Sequence, residues 1–183
     1  MKIEPWSCLS RRQVFSAPPW VALESHHLRL PDGQEIPDWI WIRTPDFVNV
    51  VAVTPEGKFV CFHQQKYAAE GTTLAICGGY LDPGENAEQA ARRELREECG
   101  LQSDQWTFLG AYAIDGNRGC GTAHLFLAEN CFEAGGEVDD DLEDQELVLL
   151  DAKELRSALH HGEFKVLPWT AALSMSLLRM SEK

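Results

Sequence analysis

Alternating and continuous apolar positions divide the chain into short strands and a few helices. The stretch "HHLRLPDGQEIPDWIWIRT", residues 26–44, predicts two strands around a Pro-Asp-Gly turn, while residues 1–20 before it indicate an irregular leader. A second pair of strands is predicted at 47–53 and 58–63, joined by a Pro-Glu-Gly turn. Further strands are predicted in "TTLAICGGYL", "QWTFLGAYAI", "TAHLFLAENC" and "LVLL".

Three segments carry the signals of helices. The first, about residues 87–99, begins after Asn86, where Gln89 completes a capping box, and ends before Gly100. The second follows a capping Asp151 and stops at Gly162, and the third covers roughly residues 168–180. Short strands mixed with helices predict an α/β or α+β sandwich. We expect residues 1–45 to form the leader and β-hairpin, and 46–183 to form the main domain.

The first helix carries Glu94, Glu97 and Glu98 beside its apolar stripe. At about 100° per residue these carboxylates border the stripe that contains Leu95, instead of lying opposite it. Like charges at this spacing repel by a few tenths of a kcal/mol per pair. One interpretation is a solvated acidic face balanced by arginines; the other is a site for a hard divalent cation, which takes oxygen ligands and bridges to phosphates.

The surrounding residues follow a longer pattern. From its second glycine, "GGYLDPGENAEQAARRELREECGL" matches the spacing G-x5-E-x7-R-E-U-x-E-E-x-G-U, with U aliphatic, at every defined position. The chain therefore resembles the Nudix hydrolases. The resemblance implies a Nudix-type α/β/α sandwich with a mixed sheet, and Mg²⁺ or Mn²⁺ held by Glu94, Glu97, Glu98 and the carbonyl of Gly78.

The chemistry that the resemblance implies is attack of water on the diphosphate linkage of a nucleoside diphosphate derivative. Metal ions neutralise the phosphates and acidify the water, while a carboxylate accepts its proton. Arg93 is expected to pair with Glu85 and brace the loop before the helix. The proton acceptor is either in the helix, at Glu97, or in the acidic run 139–146. The candidates in that run are Asp141, Glu143 and Asp144, and its alternative interpretation is a solvated loop.

The flanking segments resemble the ADP-ribose and ADP-sugar pyrophosphatase branch, whose products are a nucleoside monophosphate and a sugar phosphate. That resemblance implies that Trp39 stacks on adenine and that Lys66, with Arg43, contacts the substrate. The alternative places Trp39 at a subunit contact and Trp41 in the core. The branch also implies a homodimer formed through the N-terminal hairpins.

Departures from the branch pattern leave the substrate open. Cys77-Gly78 stands where the branch usually has Pro-Ala, and Asp115-Gly116 where it usually has a proline. Other substrates of the family are the alternatives to this small-molecule nucleotide: NADH, dinucleoside polyphosphates, oxidised nucleotides, coenzyme A and capped RNA. A non-catalytic module that binds nucleotide sugars is a further alternative from a different class.

Composition narrows the setting. With 16 Lys+Arg against 29 Asp+Glu, the net charge of −13 argues against long nucleic acid as a partner. The chain has no apolar run long enough for a transmembrane helix, so no membrane partner is expected. Its six scattered cysteines, without a C-x-x-C pair, are typical of free thiols. We therefore expect a cytoplasmic protein.

Overall fold

The computed structural model of the protein describes residues 3–135 and 145–182. The acidic candidates Asp141, Glu143 and Asp144 lie outside the described residues. By its backbone contacts the chain forms two compact units. Met1–Asp46 and Tyr112–Thr122 make up the first, and Phe47–Ala111 and Ala123–Lys183 the second. The division at residues 45 and 46 stays a prediction, and the structure groups the 112–122 segment with the N-terminal part.

Three antiparallel strands form the first unit: β1 (Ser7–Ala17), β2 (Val21–Arg29) and β3 (Glu35–Arg43). The hairpin of β2 and β3 is confirmed, but the expectation of an irregular leader over residues 1–20 is wrong, because β1 occupies most of it. Nearly all of β1 is exposed, and its register with β2 shifts twice. A strand without a buried face has no alternation to reveal it.

The remaining strands follow the predicted order with two short additions. They are β4 (Phe47–Val53), β5 (Phe59–Gln65), β6 (Thr72–Ala75), β7 (Leu101–Gln102), β8 (Gln105–Asp115), β9 (Gly119–Glu129), β10 (Phe132–Glu133) and β11 (Glu146–Leu150). The two-residue strands β7 and β10 pair with each other and were not predicted. Strands this short carry too few positions for a period to be recognised.

The sheet of the second unit is mixed and centred on β4. This strand runs parallel to β9 and antiparallel to β5, which also pairs with β6 and β11. Burial on both faces makes β4 a continuous apolar run apart from Asn49, as is typical of strands with parallel neighbours. Its side chains join the main hydrophobic core, together with Leu125, Leu127 and the inner face of the first helix.

The helices are α1 (Ala87–Cys99), α2 (Ala152–His160) and α3 (Leu167–Met180). For α1 the bounds, the capping box of Asn86 with Gln89 and the left-handed Gly100 (φ 65°) are as predicted. Asp151 caps α2, and Gly162, with φ 70°, lies just beyond its end. Both α1 and α3 pack against β4. The expected α+β fold class with a mixed sheet is thereby confirmed. In the described residues no helix has the length and apolar character needed to span a bilayer.

Candidate functional site

The loop before α1 is fixed to both the sheet and the helix. Val50 N donates to Cys77 O and Val48 N donates to Gly79 O, each at 2.9 Å. Residues 77–79 therefore pair with β4 through backbone hydrogen bonds, as a short additional strand would. On the helix side, Gly78 N donates to Glu98 Oε2 at 2.8 Å. The backbone of the two glycines is thus held between β4 and the carboxylates of α1.

Arg93 connects this loop to the helix carboxylates. Its Nε and Nη2 donate to Glu85 Oε1 and Oε2 at 3.1 and 2.9 Å, which is the pair expected from the sequence. Nη2 also donates to Tyr80 O at 3.0 Å. Nη1 donates to Glu94 Oε1 at 2.7 Å and to Glu97 Oε2 at 2.9 Å. One guanidinium therefore orients three carboxylates, and the sequence had suggested only the first of them.

Burial and the Arg93 charge act in opposite directions on these carboxyl groups. Glu94 is 8% exposed, and this desolvation raises its pKa, although hydrogen bonding to Arg93 works against the shift. The pKa of Glu85 is lowered, mainly because Arg93 donates to it. The same partners raise the pKa of Arg93. The repulsion expected among the glutamates is thus partly compensated by an arginine from within the same helix.

Two adjacent glycines make room for the buried carboxylate and the close backbone. A Cβ built on Gly79 would lie 2.3 Å from Glu94 Oε1. One on Gly78 would lie 2.2 Å from Val48 O and 2.5 Å from Asn49 Nδ2. Neither position accepts a side chain without displacement of its neighbours, which explains the pair of glycines at the start of the motif.

The oxygen donors fit a hard divalent cation in chemical type, because carboxylates and carbonyls are the ligands that Mg²⁺ and Mn²⁺ prefer. Within residues 3–135 and 145–182, however, no three acidic, histidine or cysteine side chains surround a common point. The reason lies in their present partners: Arg93 Nη1 holds Glu94 and Glu97, and Glu98 accepts from Gly78 N. A metal ion held by these three carboxylates would require the contacts to rearrange.

The first unit contains a separate aromatic cavity of about 310 Å³. Trp39 is fixed in its wall, because Nε1 donates to Asn117 O at 2.7 Å and the Arg118 guanidinium lies 4.3 Å from the ring centroid. Trp6 meets Trp39 edge-on at 5.4 Å. The cavity is lined by Trp6, His26, Leu28, Trp39, Trp41, Gly116 and Asn117.

Sequence reasoning identified Trp39 and missed two other members of this cavity. Trp6 was missed because its segment showed no strand pattern, and His26 because adjacent histidines carry no ligand spacing. Register gives the signal for His26, since it lies opposite Trp39 in the β2–β3 pair and so shares its face. Trp41 lines the same cavity, because side chains two residues apart on a strand share a face.

The other predicted substrate residues lie in different surroundings. Arg43 is exposed, and its Nε is 3.3 Å from Glu24 Oε1. Lys66 is half-buried and directly follows β5 in the second unit.

Comparison with known proteins agrees with this architecture. The NUDIX domain model matches residues 43–170. An ADP-ribose pyrophosphatase of Bacillus subtilis (strain 168) is 33% identical over 151 residues, which cover 80% of each chain. A methanol dehydrogenase activator of Bacillus methanolicus is 31% identical over 148 residues, or 79% of each. The crystal structure of an ADP compounds hydrolase superposes with a TM-score of 0.81 at 19% identity, covering 100% of this chain and 97% of the other.

Proposed function

Because the chain belongs to the Nudix family and is a Nudix hydrolase, we propose that it cleaves the diphosphate linkage of ADP-ribose or an ADP-sugar. The products are AMP and a sugar phosphate. The observation that carries the proposal is the Arg93-centred set of carboxylates on α1, built from an intact family motif. The choice of substrate is supported by the B. subtilis relative, which is named for ADP-ribose.

In this proposal Mg²⁺ or Mn²⁺ is held by Glu94, Glu97, Glu98 and the carbonyl of Gly78. When bound by these residues, such a metal would supply the positive charge that neutralises the diphosphate and acidifies the attacking water. Arg93 remains anchored through Glu85 when Nη1 releases the carboxylates, so the loop keeps its position.

The proton of the attacking water goes to a carboxylate. Glu97 is our candidate among the described residues, because its side chain is 39% exposed and can reach solvent, whereas the Glu94 side chain is 11% exposed. Glu143, outside the described residues, is the other candidate, and loss of activity in Glu143→Gln but not in Asp141→Asn would assign the proton acceptor to it. A carboxylate that accepts this proton contributes about 10²–10⁴-fold to the rate.

For the substrate's other groups we propose Trp39 as a stacking partner of the base and Lys66 and Arg43 as phosphate or ribose contacts. Arg118 covers one face of the Trp39 ring, so the base approaches the part of the ring that faces the cavity. Arg43 would leave or share its contact with Glu24. Base–aromatic stacking is worth about 1–3 kcal/mol per base.

We also propose a cytoplasmic homodimer. All six cysteines are free thiols, which suits a reducing compartment. The N-terminal part exposes several large apolar side chains, including Trp6, Val14, Phe15 and Trp20. Exposed apolar patches of this kind are a feature of surfaces that bind other proteins. Sedimentation as a monomer at micromolar concentration would remove the dimer from the proposal.

The test is product release from a panel of ADP-ribose, ADP-sugars, NADH, dinucleoside polyphosphates and coenzyme A with Mg²⁺, repeated in EDTA. We expect metal-dependent release of AMP from ADP-ribose or an ADP-sugar, lost in Glu97→Gln and Glu98→Gln. Glu88→Gln is the matched control, because Glu88 lies on the exposed side of α1 and pairs with Arg92. No turnover of any compound by the native protein contradicts the enzyme proposal, and unchanged turnover in both variants contradicts the site.

A further inference from the structure

The aromatic cavity of the first unit contains one buried polar ring, His26, that the proposed hydrolysis leaves unused. His26 is 6% exposed and lines the cavity. Its ring stacks on Trp41 with centroids 5.6 Å apart and planes 17° from parallel. The stack and the surrounding strands leave the imidazole little freedom to rotate, so its two nitrogens have fixed directions.

One of those nitrogens is committed to a carboxylate. His26 Nε2 lies 2.9 Å from Glu24 Oε2, and the other oxygen of Glu24 lies 3.3 Å from Arg43 Nε. These partners lower the pKa of Glu24, with the hydrogen bond from His26 as the largest cause. An ionised carboxylate can only accept hydrogen bonds, so Nε2 must carry the proton. In the neutral imidazole, Nδ1 then presents a lone pair.

Nδ1 has no hydrogen-bond partner among the residues that the structure describes. Among the described residues, two side-chain polar atoms are fully buried without a hydrogen bond, Asn49 Oδ1 and Ser176 Oγ. His26 Nδ1 is not one of them. The nitrogen is therefore not sealed from solvent, and it belongs to a residue that lines the cavity. The neighbouring carbonyl of Asn117 already accepts from Trp39 Nε1. His26 thus brings an unpaired acceptor, on a ring held by Glu24 and Trp41, to a cavity lined largely by aromatic rings.

We propose that His26 is a specificity residue whose Nδ1 accepts a hydrogen bond from the exocyclic amino group of a nucleobase in this cavity. The inference rests on the proposed function, since it takes the cavity as the place where the base of the substrate binds. A volume of about 310 Å³ is at the small end of ligand pockets and suits one flat ring system. A base with an oxo group at the same position would set a lone pair against that of Nδ1. The protein then selects adenine over hypoxanthine.

The test compares an adenine compound with its inosine analogue, in which oxygen replaces the amino group. Two readouts are used in mildly alkaline buffer: kcat/KM for ADP-ribose and inosine diphosphate ribose, and equilibrium binding of AMP and IMP by quenching of tryptophan fluorescence. We expect both to favour the amino base by roughly tenfold, the scale set by one hydrogen bond made or left unpaired in a partly buried site.

His26→Phe retains a flat ring against Trp41 and removes the acceptor, so we expect the preference to fall to within about twofold. His27→Phe is the matched control. His27 makes the same kind of contact, Nε2 to Glu35 Oε2 at 2.8 Å, but does not line the cavity, so the preference should remain. If His26→Phe does not fold, Glu24→Gln tests the same point, because an amide no longer forces the proton onto Nε2.

Each result decides one proposal. Equal values for amino and oxo bases in the native protein, or a preference that survives His26→Phe, overturn the role of His26. So does the absence of AMP binding. No turnover of either diphosphate, together with selective AMP binding that depends on His26, supports the specificity residue and contradicts the hydrolase proposal instead.

Discussion

Replacement of Arg93 by lysine tests whether the guanidinium fork, and not only its charge, holds the α1 carboxylates. Arg93 makes five hydrogen bonds from three nitrogens, to Glu85, Tyr80, Glu94 and Glu97. A lysine ammonium offers three donors from a single nitrogen and cannot span partners on both sides of the fork. At least two of the five bonds must therefore be lost.

The magnitude follows from burial. The side chains of Arg93, Glu85 and Glu94 are 25%, 14% and 11% exposed, so their contacts are only partly screened by solvent. Hydrogen bonds to charged groups contribute about 1.5–3 kcal/mol each. Two lost bonds predict a decrease of about 3 kcal/mol in the free energy of unfolding. For a chain of this size, that corresponds to roughly 6–12 °C in Tm.

The assay is urea unfolding followed by far-UV circular dichroism in EDTA, so that metal binding does not contribute to the measured stability. Arg92→Lys is the matched control, because Arg92 meets one exposed carboxylate, Glu88, in an i,i+4 pair of a type worth about 0.3–0.5 kcal/mol. Its other contacts are Ser103 O at 3.4 Å and the face of the Trp106 ring. If Arg93→Lys costs no more free energy than Arg92→Lys, the carboxylates do not depend on the fork and the reasoning is refuted.

Two further predictions concern the same set. Gly79→Ala places a methyl group 2.3 Å from the present position of Glu94 Oε1, so the carboxylate must move. We expect kcat/KM to fall by roughly a hundredfold. An unchanged rate and an unchanged Mg²⁺ titration of activity would contradict this prediction. Because the folded-state pKa of Glu85 is lowered by Arg93, its contribution to stability is present above the ordinary value of 4.5 and disappears as the pH falls through the folded value. The stability difference between native protein and Glu85→Gln, measured by urea midpoints, should therefore shrink as the pH falls below 4.5, and a constant difference would argue against the ion pair.

The sequence determined α1 and its chemistry closely, because the signals are local. A capping box, a left-handed glycine and a period of 3.6 residues act within one or two turns, and they predicted the bounds of the helix and the line of its glutamates. The resemblance that the motif carries likewise implied that Arg93 and Glu85 would pair, and the two residues belong to one short segment of loop and helix.

The strand β1 shows where local reasoning ends. Its side chains are exposed on both faces, so no burial imposed an alternating pattern on the sequence. Its existence depends on β2, with which it exchanges backbone hydrogen bonds across two register shifts. Pairing energy of this kind comes from a partner and leaves little trace in residue type.

Tertiary structure alone decided two features of the candidate sites. Arg93 reaches Glu94 and Glu97 because the folded loop fixes Glu85 and Tyr80 on its other side, and the spacing of residues does not specify that geometry. The cavity of the first unit joins side chains from β2, β3, the segment before β1 and the loop after β8. These groups are far apart in sequence and meet only when the strands pair in register, because register decides which side chains share a face.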